Sequence, residues 1–152
     1  MKSDSAPPIP PPVLVVALLV MAGVLAKFLP IPRIPIPMHL AFGVLFMVLG
    51  IGLGGTGIVT FKMFGTPVRP GAEPTHFVTS GPYRITRNPM YLGLLLFLIG
   101  WFFLNGSPYF LLPPVLFFLA INYAQIPFEE RFMVERFGEE YKSYCNRVRR
   151  WV

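Results

Sequence analysis

Hydrophobic positions along this chain gather into four long runs, Val13–Leu29, Met38–Phe61, Met90–Leu104 and Tyr109–Ile126, with polar residues between and after them. None of the runs alternates apolar with polar, and each comes near the roughly 17–25 residues that cross a bilayer as a helix. A helix satisfies its own backbone hydrogen bonds in hydrocarbon, so the pattern predicts spanning helices rather than barrel strands. Between Arg87 and Glu129 the chain carries no Asp, Glu, Lys, Arg or His, and the turn signal Asn105-Gly106-Ser107-Pro108 falls in the middle of that gap. The third and fourth runs therefore read as a hairpin that returns Glu129 to the side on which Arg87 stands. Pro113-Pro114 either opens a short fourth helix or kinks a longer one. Whether the hairpin crosses the membrane fully is left open by those prolines, but its two ends meet in both cases.

Beyond the fourth run the period changes. Phe128, Phe132, Met133, Phe137, Tyr141, Tyr144 and Val148 recur at steps of three and four, opposite Glu129, Glu135, Arg136, Glu139 and Glu140. This predicts an amphipathic helix that continues out of the fourth span and lies at the membrane surface. Its end, Arg147-Val148-Arg149-Arg150-Trp151, joins cations to an indole as an interfacial anchor does. Residues 1–12 read as an extended proline-rich tail, and the alternating prolines of Pro30–Pro37 as a stiff connector. The longest polar connection, Lys62 to Asn88, is the kind of loop that carries function, and Pro89 suits the first turn of the helix that follows. The predicted fold class is all-α: a polytopic membrane helical protein with about four transmembrane helices, the last two a short hairpin, plus a C-terminal amphipathic interfacial helix. We read one domain over residues 1–152, with two N-terminal spans at 13–61 and a core at 62–152.

Composition agrees with that reading. At 54% hydrophobic and 13% charged residues the chain is too apolar for an ordinary soluble domain. Its net charge of +6 reflects topology: of 13 basic residues, all but Lys27 and Arg33 fall on one side of the four spans. The positive-inside rule assigns that side, with both termini, to the cytoplasm of an inner or cell membrane, and nucleic acid is not needed to explain the charge. Asp4 and the prolines at 7–12 argue for a retained first helix rather than a cleaved signal peptide. Cys145 has no second cysteine for an internal disulfide, and no metal site is expected.

Gly52, Gly54 and Gly57 match G-x-G-x-x-G by letter, but that fingerprint needs a preceding strand, and these glycines lie inside an apolar span. Close helix packing through Gly50 and Gly54 is the better account. It would serve either internal packing or a dimer, which leaves the oligomeric state open.

Candidate chemistry lies at the two ends of the hairpin. One cluster is Gly81-Pro82-Tyr83-Arg84-Ile85-Thr86-Arg87-Asn88-Pro89-Met90-Tyr91-Leu92-Gly93; the other is Glu129-Glu130 followed by Phe137-Gly138-Glu139-Glu140-Tyr141-Lys142-Ser143-Tyr144. Plainer roles exist for each part. Arg84 and Arg87 would serve as topology charges, Glu129 and Glu130 as first-turn residues favoured by a helix dipole, Tyr83 and Tyr91 as interfacial anchors, and His76 as an exposed loop residue. Arg69 faces either substrate or headgroups.

Taken together, the clusters resemble the G-P-Y-R…R-H/N-P-x-Y-x-G and E-E…F-G-x-x-Y-x-x-Y segments of the isoprenylcysteine carboxyl methyltransferase and phospholipid methyltransferase superfamily, over roughly Gly65 to Val152. The resemblance implies a membrane methyltransferase that uses S-adenosylmethionine, releases S-adenosylhomocysteine, and acts on an amphipathic or lipid-like acceptor, a carboxylate or a phospholipid amine. It implies a catalytic set of Arg87, Asn88, Glu129 and Glu130. The implied cofactor-binding set is Gly81, Pro82, Tyr83, Arg87, Asn88, Pro89, Tyr91, Leu92, Gly93, Glu129 and Glu130. Chemically, the tyrosines would border an adenine, Arg87 would hold a carboxylate, and either glutamate would pair with an ammonium or ribose hydroxyls. Asn88 stands where many isoprenylcysteine-type members carry His, which removes a group that titrates near neutral pH. Two other readings remain: a nicotinamide-dependent membrane reductase of related core, and a non-catalytic helical subunit.

Overall fold

The computed structural model describes residues 9–29, 31–65 and 76–152. Among these the regular structure is helical: α1 Pro11–Phe28, α2 His39–Met63, α3 Pro89–Asn105, α4 Leu112–Ala120 and α5 Ile126–Arg147. Short 3-10 turns at Gly81–Arg84 and Pro108–Leu111 precede α3 and α4, and a π-helical turn at Ile121–Gln125 joins α4 to α5. Three helical stretches are long and apolar enough to cross a membrane, Pro11–Phe28, His39–Met63 and Pro108–Arg147; α3 is apolar but shorter.

The prolines set the boundaries. Pro89 opens α3, where a missing N–H is harmless, as its position after Asn88 predicts. Pro113 and Pro114 lie in the first turn of α4, so they start that helix rather than bend it. Pro11 and Pro12 do the same for α1, which shortens the expected extended tail by two residues; the expectation for residues 1–8 lies outside the described residues. The hairpin turn falls where Asn105-Gly106-Ser107-Pro108 places it. Gly106 caps α3 with a left-handed backbone, its N–H bonds Phe102 O, and its carbonyl accepts from Ile34 N–H of the connector between α1 and α2.

Outward faces are hydrophobic. Val13, Val16, Val20 and Val24 of α1, and Leu45, Val48, Ile51 and Val59 of α2, are exposed, as lipid-facing side chains are. The buried side chains of α1 (Val15, Leu18) meet Leu98, Phe117, Ile121 and Ile126 in the principal core. Buried positions on α2 are Gly43, Gly50 and Gly57, one every two turns, and that stripe lies against α3. A Cβ at Gly93 would stand 2.6 Å from Gly50 O and 2.7 Å from Gly54 N, and one at Gly100 would stand 2.8 Å from Gly43 O. The glycines of span two thus let two backbones touch, while Gly52 and Gly55 face open space.

The structure corrects the amphipathic helix in one respect. Its backbone breaks at Gly138, with φ 50° and ψ −123°, a conformation that glycine alone adopts readily. The turn aims the second half of α5 back at the loop before α3. There Phe77 packs against Phe137, Tyr141 and Tyr144 at centroid separations of 5.2–5.8 Å.

Candidate active site

A cavity of about 440 Å³ lies where α2, α3, α5 and the loop from His76 converge. This is within the roughly 300–1,000 Å³ typical of small-molecule sites. Its wall is mixed. Ile51, Ile58, Leu94, Phe97, Phe132 and Met133 make much of it apolar, while Arg87, Asn88, Tyr91, Glu129 and Glu130 form its polar part.

Two hydrogen-bonded groups organise that polar part. Glu130 accepts from Arg150 at both oxygens, Nε to Oε1 at 2.9 Å and Nη2 to Oε2 at 2.5 Å, and lies 3.0 Å from Arg87 Nη1. One carboxylate therefore carries two guanidiniums, and the trio has a net positive charge. Those bonds hold the Arg150 pKa above its ordinary value. Arg87 also reaches Cys145 Sγ through Nη1, and its Nε is buried with no partner among the described residues. In the second group Glu129 Oε1 accepts from Tyr91 Oη at 2.5 Å and from Gln125 Nε2 at 2.6 Å. Both bonds fall on the same oxygen. The surface-helix reading put Glu129 on the polar outer face, and the structure turns it inward. The reason is that α5 begins inside the bundle, directly after the buried Gln125, which puts Glu129 one turn beyond it.

The cavity wall includes Tyr83, Arg87, Asn88, Pro89, Tyr91, Gly93, Glu129 and Glu130 of the expected set. Gly81, Pro82 and Leu92 are beside it rather than in it. The first two form the 3-10 turn that presents Tyr83, and Leu92 is on another side of α3, its N–H bonded to Asn88 O. Tyr83 is 5% exposed, stacks on Phe61 at 5.0 Å and accepts from Tyr144 Oη at its carbonyl, 2.6 Å away. Burial, reinforced by the nearby Tyr144 phenol and Glu129 carboxylate, pushes its phenol pKa up, so it stays neutral and able to donate. Asn88 lies in the cavity wall and is tied to the end of the chain. Its amide donates to Arg150 O at 3.0 Å. His76 is exposed and stands at the cavity rim, and Arg69 lies outside the described residues.

Sequence reasoning missed Gln125, Arg150 and the walls contributed by α2 and Phe77. Gln125 stands four residues before Glu129, the spacing that puts two helical side chains in contact. For Arg150 the only signal was its place in a basic run, which reads equally as an anchor. The structure corrects that reading of the end of the chain: Trp151 packs on Phe118 at 5.1 Å and donates to Asn122 Oδ1 at 3.0 Å, inside the fold.

A bundle of helices with apolar outer faces, enclosing a largely apolar cavity edged by polar groups from a hairpin's two ends, is the architecture of a membrane protein. Residues 38–140 match the phospholipid methyltransferase family, and this chain belongs to it. It is 30% identical over 109 residues to protein-S-isoprenylcysteine O-methyltransferase B of Arabidopsis thaliana, covering 70% of this chain and 55% of that protein. A probable protein-S-isoprenylcysteine O-methyltransferase of Oryza sativa subsp. indica is 29% identical, over 70% of this chain and 56% of its own length. The chain thus spans about half the length of these plant relatives. A protein of Haemophilus influenzae described as uncharacterized is 43% identical over 63 residues, 41% of this chain and all of that one. No solved structure matches significantly.

Proposed function

We propose that the chain transfers a methyl group from S-adenosylmethionine to an amphipathic acceptor at the cytoplasmic face of a membrane. The observation that carries this reading is the convergence of Arg87, Tyr91, Glu129 and Glu130 on one cavity. A carboxylate is the group that a guanidinium fork suits best. S-adenosylmethionine carries such a carboxylate and an ammonium, and supplies an electrophilic methyl on a sulfonium that leaves as a neutral thioether.

The chain's own residues then divide the work. Arg87 takes the carboxylate, since Glu130 is shared with Arg150 and does not cancel its charge. Glu129 is held by Tyr91 and Gln125 through Oε1, which leaves Oε2 as its ligand-facing oxygen. It pairs with a cationic group and, for an amine acceptor, takes the released proton; a carboxylate acceptor needs no base. Glu130, with both oxygens occupied by arginines, has a positioning role. The apolar wall of Ile51, Ile58, Leu94 and Phe97 excludes water and receives the acceptor's hydrocarbon part, and catalysis is chiefly alignment in a dry site. The basic side of the spans agrees with a cytoplasmic site.

Isothermal titration of the detergent-purified protein with S-adenosylhomocysteine tests the proposal. We expect saturable 1:1 binding, and no heat from protein that is helical by circular dichroism would overturn it.

A further inference from the structure

The chain after α5 is tied into the site by a set of bonds that neither polar cluster explains. Val148 leaves the helix in extended backbone, and the next two residues reach across to the loop before α3. Arg87 N–H donates to Arg149 O at 2.9 Å, Thr86 Oγ1 and Asn88 Nδ2 donate to Arg150 O at 2.9 and 3.0 Å, and the Arg150 side chain forks onto Glu130. Trp151 secures the far end on Asn122. Thr86 is 1% exposed, so its hydroxyl has no water to fall back on.

We infer that residues 148–151 form a clasp whose Arg150 is a positioning residue: it fixes Glu130, and through Glu130 the Arg87 guanidinium, in the geometry that receives an anionic ligand group. The inference rests on the proposed function, because it assigns Arg87 to a cofactor carboxylate. Its physical basis is the sharing of one carboxylate. Without Arg150, Glu130 pairs with Arg87 alone; the cation is then neutralised by its own partner and withdrawn from the ligand. With Arg150 bound at both oxygens, Arg87 keeps charge to spend outward. A lysine at 150 would supply the charge but not the two-point fork. The backbone bonds from residues 86–88 set the clasp in place, so the loop that carries Arg87 and the segment that carries Arg150 move as one.

The test is calorimetric titration of the full chain in detergent with S-adenosylhomocysteine, for wild type, Arg150→Ala, Arg150→Lys, Glu130→Ala and the double variant Arg150→Ala/Glu130→Ala. We expect Arg150→Ala to weaken binding about 10- to 100-fold, the range for losing charge-assisted hydrogen bonds, with Arg150→Lys between it and wild type. Because Arg150 acts through Glu130, removing it from the Glu130→Ala protein should change affinity less than threefold. A merely structural arginine would instead give additive losses. Should Arg150→Ala fail to fold, Trp151→Phe keeps an aromatic ring toward Phe118 while removing the bond to Asn122 and part of the indole packing, and we expect it to weaken binding severalfold. Wild type that binds with affinity unchanged in Arg150→Ala, or with additive losses in the double variant, overturns the clasp alone. Wild type that is folded and does not bind overturns the cofactor reading and the clasp with it.

Discussion

Arg87 Nη1 stands 3.0 Å from Glu130 Oε1, so the two borders of the uncharged hairpin are joined by an ion pair at the wall of one cavity. Both side chains are largely shielded, at 13% and 20% exposure, and the pair is therefore screened less by salt than a surface bridge. Its geometry is also asymmetric: Glu130 has Arg150 as a second partner, whereas Arg87 retains a buried Nε without one among the described residues. The arginine is the member with unused capacity, and the predictions start from that difference.

Replacing Arg87 by Ala should abolish S-adenosylhomocysteine binding, or weaken it by about 100-fold or more, through loss of a charge-assisted carboxylate contact. The helices should survive, because Glu130 keeps its two bonds to Arg150. Arg87→Lys should recover only part of the affinity. Calorimetry alongside circular dichroism measures both effects; normal affinity in Arg87→Ala would remove this residue from the site.

The adjacent glutamates should respond differently. Glu129→Gln preserves shape and keeps a carbonyl oxygen for Tyr91, so the fold should hold while methyl transfer falls steeply. Glu130→Gln leaves Arg87 and Arg150 facing each other with no anion between them. Removing one member of a buried pair costs about 3–5 kcal/mol, and partial exposure here reduces the expectation to about 1–3 kcal/mol. Unfolding midpoints in detergent should therefore drop for Glu130→Gln and stay near wild type for Glu129→Gln. Equal stabilities would contradict the division of roles.

Helix contact gives a third prediction. A Cβ at position 93 meets the backbone oxygen of Gly50 at 2.6 Å, so no rotamer change relieves it. Gly93→Ala should destabilise by about 1–3 kcal/mol, the usual range for overpacking, and should distort the cavity that α2 and α3 share. Gly52→Ala meets nothing within 4 Å and should be neutral or slightly stabilising, since Ala is the better helix former. Thermal unfolding of the two variants side by side decides it. A Gly93→Ala protein as stable as Gly52→Ala would mean that the helices separate without penalty.

How much of this was legible in advance depends on the range of the interaction. The spans, the hairpin turn at Gly106 and the helix start at Pro89 are local consequences of hydropathy and proline chemistry, and the sequence carries them openly; at Pro113-Pro114 it allowed a start or a kink, and packing chose the start. The pairing of the hairpin's ends followed from topology, because an uncharged stretch with a central turn has to return. Arg150 was different. Its role depends on an extended segment crossing to Thr86, Arg87 and Asn88, and no periodicity marks such a crossing. Periodicity read from Phe128 onward put Glu129 on the polar face of the helix, whereas the resemblance put it in the site. The π-helical turn at Ile121–Gln125 brings Gln125 and Glu129 in together, and that turn has no sequence signature of its own.

The break at Gly138 supports the last prediction. With φ 50° and ψ −123° this residue occupies backbone space that a side chain tolerates only with strain of about 1–3 kcal/mol. Alanine there would favour a straight α5, and a straight helix carries Tyr141 and Tyr144 away from Phe77 and Tyr83. Gly138→Ala should therefore lose stability by that amount and also weaken S-adenosylhomocysteine binding, since Tyr83, Tyr141 and Tyr144 all line the cavity. Tyr144→Phe separates the two effects. It removes the phenol bond to Tyr83 O, worth about 1 kcal/mol net, but leaves the ring packing and the break in place. Unfolding in detergent and titration of both variants give the comparison. If Gly138→Ala matched wild type in stability and affinity, the bend would be incidental; if Tyr144→Phe alone reproduced the full loss, the hydrogen bond rather than the bend would hold this half of the site.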